Sequence, residues 1–99
     1  MTSAARMNEG QANQVWDLLV TKAGASESDR YAFVQYLTKP GGFHEYRFMG
    51  LLGFGGKFNY SPTQRGYLSC YSEDRDEVRD AIIETVNQDL AELLDTFRR

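Results

Sequence analysis

The chain predicts an α+β fold with the element order ααβββα, in which a three-stranded antiparallel sheet packs against helices. Three observations carry this. Apolar residues recur at helical spacing toward both ends of the chain, and between them, from 43 to 71, apolar and polar residues alternate as strands require. The strand candidates are also joined by too few residues for a crossover, which makes the sheet an antiparallel meander.

Residues 1–10 lack periodicity and predict a loose arm; residues 11–99 predict one α+β domain. From Gln11, the residues Ala12, Val15, Trp16, Leu19 and Ala23 fall on one helical face, and Gly24 supplies a stop. A second helix starts at Ser26, where Ser26-Glu27-Ser28-Asp29 resembles a capping box with aspartate in place of glutamate. Phe33, Val34 and Leu37 give it an apolar stripe, and Pro40-Gly41-Gly42 ends it. Three strands follow, over 43–49, 52–60 and 67–71, with a turn at 61–66. In the last helix Ser72 is the expected N-cap, and Ile82, Ile83, Val86, Leu90, Leu93, Leu94 and Phe97 share one face. That long helix is the expected cover of the sheet, flanked by the N-terminal helical hairpin.

A chain of 99 residues is long enough to bury a core without disulfides or metal. Cys70 is the single cysteine, so no intramolecular disulfide forms, which fits a reducing cytoplasm. No apolar run approaches a membrane span, and MTSAARMNEG lacks the apolar stretch of a secretory signal. The expectation is a cytoplasmic protein with no membrane partner.

The net charge of −3 argues against broad nonspecific binding to DNA or an anionic membrane. The charges are polarised. Residues 73–95 hold nine acids and two bases, whereas 43–66 hold three cations (Arg47, Lys57, Arg65) and one acid, Glu45. Two surfaces compete as partner-binding faces. One is an acidic face of the last helix, Glu73, Glu77, Asp80 and Glu84, which presents carboxylates at helical spacing to a basic groove. The other is a strand surface with Arg47, Lys57, Asn59 and Arg65 near tyrosines, a composition able to stack bases and contact phosphates.

The middle of the chain packs glycines among aromatics from Tyr46 to Tyr71. Glycine weakens a strand, so Gly53, Gly55 and Gly56 are expected to be structural, at a bulge or a close backbone approach. The run GFGGK is not a phosphate loop: Leu51 stands where the first glycine belongs, and Phe58 where Ser or Thr must follow the lysine. The dinucleotide fingerprint fails at Phe58 as well. His44 and Cys70 form no ligand spacing for a metal, and nothing in the sequence positions them as a base–nucleophile pair. No catalytic residues, metal ligands or cofactor are therefore expected, and the chain does not read as an enzyme.

The residues Arg47-Phe48, Leu52-Gly53-Phe54-Gly55-Gly56-Lys57-Phe58, Cys70-Tyr71, Glu73-Asp74, Ile83, Asn87 and Leu90 resemble a set of small, uncharacterised proteins carried by phages and plasmids. The resemblance covers the C-terminal half to two thirds of the chain and carries no catalytic residues. Its genomic setting, with the size and charge of the chain, implies an inhibitor of host machinery of the anti-CRISPR kind. The expected function is thus a non-enzymatic protein-binding inhibitor from a mobile genetic element. Its partner is a host protein or ribonucleoprotein complex that processes nucleic acid. The alternative is a small nucleic-acid-binding module using the aromatic and basic strand surface.

Overall fold

The computed structural model describes residues 7–39, 46–51, 54–61, 67–70 and 75–97; side chains at 49–57 are outside that description. The order is helix, helix, three strands, helix, an α+β fold of the expected class.

The first helix, α1 (Glu9–Ala23), begins two residues before the periodic pattern because Asn8 closes its end. The Asn8 side chain accepts from the Gln11 N–H at 2.8 Å, and the Gln11 side chain accepts from the Asn8 N–H at 3.1 Å. This reciprocal pair satisfies two donors that an open helix end would leave unbonded. At the other end Gly24 adopts φ 74°, the left-handed conformation that a β-carbon disfavours.

The expected capping box at Ser26 forms differently. A short 3-10 turn (Glu27–Asp29) intervenes, and the Ser26 hydroxyl accepts from the Ser28 N–H at 3.2 Å rather than from Asp29. The second helix, α2 (Arg30–Thr38), follows with Phe33, Val34 and Leu37 buried. Lys39, which precedes Pro40, is extended at ψ 150°, as the proline ring demands of its predecessor. The glycines that follow Pro40 lie outside the described residues.

Strands β1 (Tyr46–Leu51), β2 (Phe54–Ser61) and β3 (Tyr67–Cys70) form one antiparallel sheet in the order β1-β2-β3. Tyr46 pairs with Tyr60 and Phe48 with Phe58; across the other seam Tyr60 pairs with Leu68 and Phe58 with Cys70. These six residues share the side that packs on the helices. The β1–β2 register shifts beyond Met49: Met49 faces Lys57, but Leu51 faces Phe54. Gly55 and Gly56 therefore stand opposite the single residue Gly50, a bulge in the glycine run. Gly53 lies outside the described residues.

The last helix, α3 (Glu77–Phe97), starts later than expected. Its cap is Asp76, whose carboxylate accepts from the Arg79 N–H at 3.0 Å; Ser72 lies outside the described residues. Ile83, Val86, Leu90 and Leu94 are buried along it.

The covering of the sheet is shared between α3 and the hairpin. α3 packs on β3, and the helical hairpin meets β1 and β2 through aromatic rings. Trp16 lies 4.4 Å from Phe33 between ring centroids and meets Phe48 and Tyr46 edge-on at 5.6 and 5.9 Å. Phe33 meets Tyr60 at 5.4 Å, and the Trp16 indole N–H donates to the Ser26 carbonyl at 3.1 Å. The bulkiest buried side chains, Trp16, Tyr60, Phe33 and Phe58, thus belong to the hairpin–sheet layer, not to α3. Among the described residues no helix is long and apolar enough to cross a membrane.

Candidate functional site

The outward side of α3 follows from its helical phase. Ile83, Val86, Leu90 and Leu94 point inward, which turns Glu77, Val78, Ala81, Glu84 and Thr85 outward. Glu77 and Glu84 are seven residues apart, hence on nearly the same side and roughly 10 Å apart along the axis. Both are exposed. Asp80 is different: its carboxylate lies 3.3 Å from Arg79 and 3.7 Å from Arg75. Two guanidiniums compensate its charge, so the expected acidic face narrows to Glu77 and Glu84. Glu73 lies outside the described residues.

Beside these carboxylates the surface is apolar. Val78 is 63% exposed, whereas Ile83, Val86, Leu90 and Leu94 of the same helix are buried. Val78, Ala81, Ile82 and Val86 form the apolar lining of an open groove of about 550 Å³. Lys22, from the last turn of α1, lines it together with Glu77 and Thr85. The Lys22 ammonium lies 3.9 Å from Asp89, which offsets the cation on that border.

The strand surface divides. Arg47 is exposed on β1, and Tyr67 on β3 is 53% exposed. Asn59 is a correction: it points away from the helices as alternation requires, yet it is 3% exposed. It sits on the central strand, paired in register with Arg47 on one side and Ser69 on the other. Its Oδ1 has no hydrogen-bond partner among the described residues. Lys57 is placed by its backbone opposite Met49, with its side chain outside the description, and Arg65 lies outside the described residues altogether. Cys70 is half-buried on the helix-facing side, and His44 is outside the described residues. Among the described residues no group of three His, Cys, Asp or Glu is placed to hold a metal ion.

Three polar devices escaped the sequence reading. Asn87 of α3 bonds both backbone groups of Leu68: its Oδ1 accepts from the N–H at 2.7 Å, and its Nδ2 donates to the carbonyl at 2.9 Å. An asparagine at the margin of an apolar helical stripe is the signal that could have found it. Arg30 joins the helical hairpin, donating to both Glu27 oxygens at 2.7 and 3.0 Å, to Asn13 Oδ1 at 2.9 Å and to Asp17. The hydrogen bond from Arg30 holds the Glu27 carboxyl below its usual range, and the same bonds raise the Arg30 guanidinium. Arg79 lies 7% exposed at the base of α3, where helical phase alone would put an aliphatic.

No family model, no curated protein and no solved structure matches the chain.

Proposed function

We propose that this chain is a non-enzymatic protein-binding inhibitor that docks through the outward side of α3. The observation that carries the reading is the juxtaposition there of exposed Glu77 and Glu84 with exposed Val78. Apolar contact supplies affinity and carboxylates supply orientation, as at the centre and rim of a protein interface. Proteins that handle nucleic acids carry basic grooves, and acids at helical spacing suit such a groove. A host nucleic-acid-processing complex is therefore the proposed target. A mobile element and a bacterial cytoplasm, in the manner of an anti-CRISPR protein, follow from the resemblance of the LGFGGKF segment.

The test is capture from a bacterial lysate by the tagged chain, with captured proteins identified by mass spectrometry. Reversing Glu77 and Glu84 together to lysine should abolish capture while the far-ultraviolet circular dichroism is unchanged. A Glu77→Gln, Glu84→Gln chain separates loss of charge from repulsion. Raising salt should weaken the wild-type complex, because exposed charges are screened over about 8 Å at physiological ionic strength.

Exposed Tyr67 and Arg47 on the open side of the sheet favour a second reading, a module that stacks single-stranded nucleic acid. It makes a separate forecast: the isolated chain retards single-stranded DNA or RNA at micromolar concentration, and Tyr67→Ala removes the effect. Retardation without a protein partner would promote this reading over the first.

A further inference from the structure

We infer that the groove between α3 and the last turn of α1 is the seat of a basic amphipathic helix contributed by the partner. The inference rests on the reading of α3 as a docking face and specifies what docks.

The shape argues for a helix. The lining extends from Glu77 to Val86, about 14 Å along the α3 axis or two and a half turns, with Lys22 of α1 on it as well. Among the described residues the lining is one face of α3 with Lys22 of α1 at its border, an open strip on which a further helix can lay an apolar ridge. Anchors spaced i, i+3, i+4 and i+7 on the incoming helix would cover Val78, Ala81, Ile82 and Val86. Extended peptides bind instead by pairing with a sheet edge, and among the described residues no strand residue lines this groove.

The charge argues for a basic helix. Glu77 lines the groove, and Glu84 stands one helical step to its side, both exposed. The cation on the lining, Lys22, is opposed by Asp89 at 3.9 Å. Cations flanking the apolar anchors of a partner would meet Glu77 and Glu84. The same charges disfavour the other occupants of an apolar face. A second copy would bring Glu77 and Glu84 against their own equivalents, on chains of net charge −3. An anionic bilayer would face those carboxylates too.

The probe is a synthetic 18-residue peptide with leucine at i, i+3, i+4 and i+7 and lysine or arginine on the flanks, titrated into the full chain labelled with nitrogen-15. Saturable shifts of the amides from 77 to 86 and around Lys22 are expected, with Kd at or below about 100 μM. A peptide with the same leucines and glutamate flanks, and a scrambled basic peptide, should each bind at least about tenfold more weakly, a step worth about 1.4 kcal/mol. Val78→Ser and Ala81→Arg alter exposed positions and leave the core intact; each should weaken the basic peptide by a similar factor. No saturable binding, equal binding of the control peptides, indifference to both substitutions, or shifts confined to the sheet overturns the inference. So does concentration-dependent self-association that moves the same amides, which would assign the groove to a second copy. In the lysate capture, loss on reversing Glu77 and Glu84 with no loss in Val78→Ser and Ala81→Arg would leave the docking face standing and remove the groove helix. Indifference to all four changes removes both.

Discussion

Tyr60 shows what single residues cost in this core. Its ring is fully buried among Phe33 and the strand aromatics, and its hydroxyl has no hydrogen-bond partner among the described residues. A buried hydroxyl without a partner loses its hydration and gains nothing in return. Burial accordingly pushes the Tyr60 phenol up, with Tyr36 adding to the shift. The sign of the pH effect follows. Both states hold the proton below the ordinary phenol value near 10, so the full stability is present there. Above it the unfolded chain ionises first, and stability falls as pH rises toward the folded value. Tyr60→Phe should therefore be neutral or stabilising by up to about 1 kcal/mol in urea titrations near pH 7. It should also flatten the loss of stability between pH 10 and 11; a destabilisation above about 1 kcal/mol would mean that the hydroxyl is bonded. Asn59 marks the limit of what one residue reveals in sequence. Strict alternation gave its side of the sheet, but exposure depends on the neighbours across both seams, which only the register supplies.

At the scale of elements, strong periodicity located the three α-helices and the three strands among the described residues, whereas their ends depended on caps. Asp76 caps α3, and Asn8 begins α1 before its apolar pattern does. In an acid-rich run several residues can serve as a cap, and the packing of α3 on β3 selects among them. The Asn87 contact is part of that selection. Strand β3 is an edge, and an edge carries outward backbone donors and acceptors that pair readily with another chain. Asn87 takes both groups of Leu68 with its amide, which docks the helix and closes that stretch of the edge. Asn87→Ala should cost about 1–3 kcal/mol, since it leaves two partly buried backbone groups without partners. Asn87→Asp keeps the acceptor and loses the donor, and should fall between the two near neutral pH. Hydrogen exchange at the Leu68 amide is the direct readout: faster exchange in Asn87→Ala is expected, and unchanged protection would show that the edge is covered by other means.

Across the whole molecule, the aliphatic layer on α3 was plain in the sequence and the aromatic layer under the hairpin was less so. Helical phase made α3 the obvious centre because its aliphatic stripe is the longest. Aromatic side chains bury more area apiece, and the scattered Trp16, Phe33, Phe48, Phe58 and Tyr60 converge only once the hairpin folds over the sheet. The groove on α3 was likewise invisible in sequence: Val78 looks like a core residue until the inward arc is fixed by Ile83, Val86 and Leu90. α1 ties the two parts, since it packs against both α2 and α3 and carries Trp16 into the aromatic layer. One continuous core predicts one cooperative unit. Trp16 is the single tryptophan, so its fluorescence reports the hairpin–sheet layer, while far-ultraviolet circular dichroism is weighted toward the helices. The two transitions should coincide in urea. Leu90→Ala empties a fully buried site on α3 far from the indole in sequence, and should cost about 2–4 kcal/mol through lost burial and a cavity. The decisive feature is that it should shift the Trp16 transition as far as the dichroism transition. If dichroism alone moves, α3 unfolds independently, and a docking face built on it would be a separately folding arm rather than part of the core that α1 joins together.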